Sequence, residues 1–182
     1  MPRLTPLDIT TLVGEQKRVA DAIVSGPRGG LRGPFDAWLR SPALAERAQL
    51  LGEYCRFQSA LPSIHRELAI LLAGKHWKAQ FEFWAHARLA REAGLDPAVI
   101  EAVRTGQPPQ GLSESVQVVY DFVTEYFETN RVSAETYTRA FESFNEQGVV
   151  DLIGIVGYYG LVSMTLNVFE VAVPDGEGQP FV

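Results

Sequence analysis

Apolar residues along this chain recur at helical spacing between clear breaks, and no short stretch alternates apolar with polar positions between turn signals. The pattern predicts an all-α chain, a single-domain helical bundle of about seven or eight helices. Leu7 to Val24 reads as the first helix and stops at Gly26-Pro27-Arg28-Gly29-Gly30. Ser41-Pro42, an N-cap followed by proline at the first helical position, opens a helix to near Ser59. Pro62-Ser63 opens the next, which is predicted to end at Gly74. His76 to Ala93 follows and is stopped by Gly94. Asp96-Pro97 starts a short helix to near Thr105, and Gln107 to Gly111 is a loop. Val116 to Thr129 and Ser133 to Phe144 are amphipathic runs, an uncharged helix starts at Val149, and Pro174 to Pro180 reads as a tail.

Leu152 to Phe169 contains no charged residue and has the minimum length for a bilayer span. It also carries Tyr158, Tyr159, Ser163, Thr165 and Asn167, and its flanks Asp151 and Glu170 provide no cationic anchor. A helix buried on all sides, inside a bundle or between subunits, fits better than a membrane span.

Composition narrows the classes. The 182 residues are 46% hydrophobic, and 16 Lys plus Arg against 22 Asp plus Glu give a formal charge of −6. That balance, without a basic cluster, argues against a phosphate-tracking nucleic-acid binder. Cys55 is the only cysteine, which rules out an intrachain disulfide, a Cys-x-x-Cys redox pair and a multi-cysteine zinc site. The opening residues show no apolar run behind a positive start, so a reducing, cytoplasmic location is expected.

The candidate chemistry lies on the His76–Ala93 segment. On a helical wheel of about 100° per residue, Lys78, Gln80, Arg88, Arg91 and Glu92 share one half. Glu82 and His86 fall in the middle of the other, among Ala79, Phe83, Leu89, Ala90 and Ala93. They are four residues apart, so their side chains can meet, and on an apolar face they need compensation. In the preceding helix, Glu67 sits at the edge of the stripe Ile64, Leu68, Leu71 and Leu72. An antiparallel hairpin across a turn at Gly74 would bring Glu67 to the Glu82/His86 pair. Two carboxylates and an imidazole in a partly dry pocket would raise one carboxyl pKa and leave the histidine near neutrality, as in a general acid/base site. The same pattern also fits a buried structural pair that holds two helices in register.

Other features read more plainly. One histidine and two glutamates fall short of a usual mononuclear metal site, since His76 lies at nearly the opposite wheel angle and His65 begins another helix, so no metal is expected. The loop Gly26 to Pro34 carries Arg28 and Arg32 and reads as a surface loop or as a lid for a carboxylate. Trp77, Phe81 and Trp84 form an aromatic patch suited to packing or subunit contact. Cys55, beside Tyr54 and Phe57, reads as an inert small hydrophobe.

Three stretches carry a family resemblance: Arg66-Glu67-Leu68-Ala69-Ile70-Leu71-Leu72-Ala73 with His76-Trp77, Phe81-Glu82-Phe83-Trp84-Ala85-His86-Ala87, and Ala90-Arg91-Glu92-Ala93-Gly94-Leu95. There the chain resembles the carboxymuconolactone decarboxylase family, which has the alkylhydroperoxidase-D-like fold. Val150 to Tyr159 and Met164 to Asn167 resemble that family's last core helix. The resemblance divides one domain, 1–182, into an N-terminal helix and Gly/Arg-rich loop (1–34), a core (35–172) and a tail (173–182). In the peroxidase branch the Cys-x-x-Cys positions would fall at Ala79 and Glu82, and a second histidine at Phe81, so the sulfurs of a thiol–disulfide cycle are missing. The decarboxylase branch has a glutamate four residues before the histidine, as Glu82 is here.

The resemblance implies a lyase or isomerase without a cofactor, using acid–base chemistry on a small carboxylated or lactone-type compound of aromatic catabolism, in a homo-oligomer such as a trimer or hexamer. His86 would be the proton donor or oxyanion partner and Glu82 would tune it. Glu67 would relay a proton or exclude a wrong pose, and Arg28, Arg32 and Arg66 would be the candidates for holding substrate carboxylates. An alkylhydroperoxidase-like antioxidant protein and a non-catalytic oligomeric binding protein are the alternatives.

Overall fold

A helix that is apolar on every side belongs in the middle of a bundle. In the computed structural model, which describes residues 2–181, the stretch Leu68 to Gly74 of α4 (Ser63–His76) is of that kind. Every residue from Glu67 to Gly74 is buried. Around it pack α5 (Gln80–Glu92), α6 (Pro97–Thr105), α7 (Glu114–Thr129) and α8 (Ala134–Val168). The first part of the chain adds α1 (Gly14–Ser25), a single turn α2 (Phe35–Trp38), and α3 (Pro42–Glu53), which runs on into a π-helical turn at Tyr54–Gln58.

The helix boundaries follow from capping. At the end of α4, Lys78 takes the left-handed conformation (φ 50°). Its N–H bonds to Lys75 O at 3.1 Å and Ala79 N–H bonds to Gly74 O at 2.9 Å, a Schellman closure without glycine. The predicted stop at Gly74 is therefore two residues early: α4 continues to His76, and α5 starts at Gln80, four residues after the expected His76. Gly94 (φ 92°) closes α5 with the same pair of bonds and stands where predicted. Asp96 Oδ1 accepts from Ala98 N–H at 2.7 Å and caps α6.

Two further expectations need correction. The first helix starts at Gly14, not Leu7, because Asp8 bonds the N–H and hydroxyl of Thr10 and offers that backbone a turn instead. Within the chain the uncharged helix is not buried on all sides, so the bundle interior alone does not cover it. The long α8 breaks at Asn145 (φ 58°), whose Oδ1 accepts from Gly148 N–H at 3.2 Å and so caps a second arm. That arm buries Leu152, Ile155, Tyr159, Val162 and Leu166. Its other side exposes Val150, Ile153, Met164 and Val168. The arm includes a stretch apolar and long enough to cross a bilayer, of which 67% is buried within the chain.

The final segment is docked, not loose. Gln80 Oε1 accepts from Phe181 N–H at 2.8 Å and the Gln80 amide donates back to Phe181 O. Arg104 Nη1 donates to Pro180 O at 2.7 Å. The Phe181 ring meets Phe83 edge-on at 5.0 Å.

Candidate active site

The α4–α5 hairpin places Glu67, Glu82 and His86 together. His86 Nδ1–H donates to Glu67 Oε2 at 2.7 Å across the two helices. Glu82 Oε1 lies 3.0 Å from His86 Nε2, one helical turn back on the same helix. All three side chains are buried, His86 to 5% exposure. The two contacts are unequal: Glu82 Oε1 is at ion-pair distance but off the N–H direction, and it has no aligned hydrogen-bond donor.

The near-neutral histidine expected from sequence does not hold. Burial pulls the His86 pKa down, but the charges of Glu82 and Glu67, with the hydrogen bond to Glu67, outweigh it and lift it to about 9. A proton on each ring nitrogen suits an imidazole flanked on both sides by acceptors.

Glu82 and His86 line a cavity of about 930 Å³, whereas Glu67 stands behind the imidazole and does not reach it. Six arginines also line it. Of these, Arg104 pairs with Glu101 and Arg88 with Glu92. Arg28, Arg32, Arg56 and Arg91 have no carboxylate partner among the described residues. An excess of unpaired guanidinium groups around a concave site favours an anionic ligand. Of the arginines singled out from sequence, Arg28 and Arg32 are thus at the cavity. Arg66 is elsewhere: its Nη1 donates to Leu61 O at 2.6 Å.

The glycine-rich loop forms part of the wall through Arg28, Gly30, Arg32, Gly33 and Pro34. Gly33 is required twice over, by its φ of 67° and by the Phe81 ring, 3.2 Å from where a Cβ would stand. Phe81 and Trp84, with ring centroids 5.6 Å apart, also line the cavity. Trp77 does not join them; it packs edge-on against His76 at 5.2 Å, so the expected three-membered patch is divided. Cys55 is buried outside the cavity and its thiol is pushed up to about 11, chiefly by burial, which suits an inert side chain.

Sequence reasoning missed four contributors: two tyrosines, an arginine and the tail. Tyr158 and Tyr159, from α8, line the cavity. Tyr158 Oη lies 3.3 Å from Arg28 Nη2. Tyr159 meets the His86 ring edge-to-face at 5.0 Å. Arg56 and the docked tail, through Pro174, Glu177 and Pro180, complete the wall. Two adjacent tyrosines in an otherwise uncharged helix were the available signal.

The sequence matches no protein-family model and no curated protein. Solved structures do match. The "alkylhydroperoxidase AhpD core: uncharacterized peroxidase-related protein" of Ralstonia eutropha superposes with a TM-score of 0.78 at 14% identity, over 96% of this chain and 93% of that one. An uncharacterized peroxidase-related protein of Silicibacter sp. gives 0.74 at 15% identity, over 98% and 95%. A cysteine-to-alanine variant of the debrominase Bmp8, in complex with 2,3,4-tribromopyrrole, gives 0.74 at 11% identity, over 96% and 95%. Likeness across nearly the whole of both chains establishes the architecture: this protein has the all-helical fold of the alkylhydroperoxidase AhpD core.

Proposed function

We propose that this protein is an acid–base lyase or isomerase acting on a small carboxylated or lactone-type compound. The observation that carries the reading is a buried, cationic His86, held from behind by Glu67 and facing with Glu82 a cavity that presents arginines without acid partners. In this reading Arg28, Arg32, Arg56 or Arg91 hold a substrate carboxylate. For a carboxylated unsaturated lactone, the bond from ring carbon to carboxylate breaks, carbon dioxide leaves, and the electron pair spreads to the lactone carbonyl as a dienolate. The carbonyl is thus the electron sink and the step calls for no cofactor. The His86 imidazolium protonates the carbanionic carbon and later regains its proton from solvent. Glu82, across from Nε2, favours the charged imidazole, and Glu67 fixes the ring through Nδ1.

A thiol peroxidase reading lacks its sulfurs, since Ala79 and Glu82 occupy the expected positions and Cys55 is buried elsewhere. The exposed apolar stripe of α8, Val150 to Val168, supports the further proposal of a homo-oligomer, a trimer or hexamer, which light scattering would size. The function is tested by carbon dioxide release from a panel of carboxylated unsaturated lactones, 4-carboxymuconolactone among them. Turnover that falls by about a thousandfold in a folded His86→Ala variant supports it. Turnover unchanged in that variant, or none on any member by the wild type, contradicts it.

A further inference from the structure

We infer that Tyr159 is a further catalytic residue of this site, its hydroxyl being the donor that receives the oxyanion developing on a bound ligand. The inference rests on the reading of the cavity as an acid–base site. Tyr159 is 2% exposed, lines the cavity beside His86, and its Oη has no hydrogen-bond partner. A buried hydroxyl left unsatisfied is costly, and native structures rarely keep one without a use. Two other tyrosine hydroxyls near the α8 arm are engaged: Tyr54 donates to Asp151 Oδ1 at 2.8 Å and Tyr158 takes a bond from Arg28. Two other buried polar atoms without a hydrogen-bond partner belong to residues of the same wall, Arg28 Nε and Glu82 Oε1.

The electrostatics make this hydroxyl a donor. Burial, and then the charge of Glu82, hold the Tyr159 pKa well above its ordinary value. It therefore keeps its proton and offers O–H rather than phenolate. In a sheltered site a preorganised O–H stabilises a new oxyanion more than it stabilises the parent carbonyl. The neighbouring Tyr158, its ring 5.1 Å away, takes a bond from Arg28 of the glycine-rich loop, and all three side chains line the same cavity.

Substituted 4-hydroxybenzoates carry a carboxylate and a phenol of graded acidity, while benzoate carries only the carboxylate. The wild type is expected to bind them more tightly as the phenol becomes more acidic, with the absorbance shift of the phenolate on binding. Tyr159→Phe is expected to lose roughly tenfold of that phenolate affinity and none of the affinity for benzoate. Because Oη has no protein partner, the same variant should melt no lower than the wild type, whereas Tyr54→Phe should melt lower. Equal phenolate affinity in the wild type and Tyr159→Phe, or no phenolate binding by the wild type, overturns the inference. Failure of lactone turnover in the wild type would sink the lyase reading and leave a Tyr159-dependent phenolate affinity standing. Undiminished turnover by Tyr159→Phe would do the reverse.

Discussion

His86 on α5 and Glu67 on α4 are joined Nδ1 to Oε2 at 2.7 Å, and this bond sets the imidazole's orientation before any ligand arrives. It also makes Glu67 a positioning residue, because only Glu82 and His86 reach the cavity. Glu67→Gln keeps the shape of the contact but removes a charge. The His86 pKa is then expected to fall, and the alkaline limb of any pH–rate profile to move down with it. Glu67→Ala should also cost about 3–5 kcal/mol of stability, as a buried pair that loses one member does, measured by urea unfolding at pH 7.

The same field couples stability to pH. The folded-state pKa of His86, about 9, lies above its ordinary 6.5. The stabilisation from the bound proton is therefore fully present below about pH 6.5 and is lost as pH rises through about 9. On the order of 3 kcal/mol is at stake by linkage. Melting temperature should decline between pH 7 and 10, and the decline should be smaller in Glu82→Gln, where a charge facing the imidazole is gone.

Gly52 on α3 is expected to be intolerant of any side chain. A Cβ there would collide with Tyr158 Oη and with Arg28 Nη2, which meet over this glycine. Gly52→Ala should cost about 1–3 kcal/mol by overpacking and should weaken binding of benzoate several-fold by displacing Arg28, read by calorimetry.

Cys55 should stay unreactive in the folded protein. Its thiol is 1% exposed and pushed up to about 11 by burial, then by Asp151. At pH 8 a disulfide reagent should label it only when urea unfolds the chain, and Cys55→Ser should leave peroxide consumption and lactone turnover unchanged. Labelling of the native protein at the rate of a free thiol would contradict this.

Much of this architecture was legible in the chain. Asp96-Pro97 and Gly94 mark helix ends because their side chain or conformational freedom satisfies end groups locally. The Lys78 closure was not legible, since nothing in a lysine announces a left-handed turn. Glu82 and His86 were legible because two ionisable groups interrupt an apolar face. The charge state of His86 was not, because it depends on the burial of Glu67 and Glu82 together, a property of the packed hairpin. Arg66, one of the three arginines expected to hold a substrate carboxylate, instead gives its guanidinium to the backbone carbonyl of Leu61, a contact that depends on the fold. Tyr159 and the docked tail approach the site from segments far along the chain, and spacing alone carries no information on such contacts.

The central claim is that His86 is a buried cation poised as a proton donor. Nitrogen-detected NMR of the imidazole, followed from pH 5 to 10.5, tests it directly. The account predicts that both ring nitrogens carry protons at pH 7 and that His86 titrates at about 9. A neutral imidazole at pH 7, titrating at or below the ordinary 6.5, would contradict it.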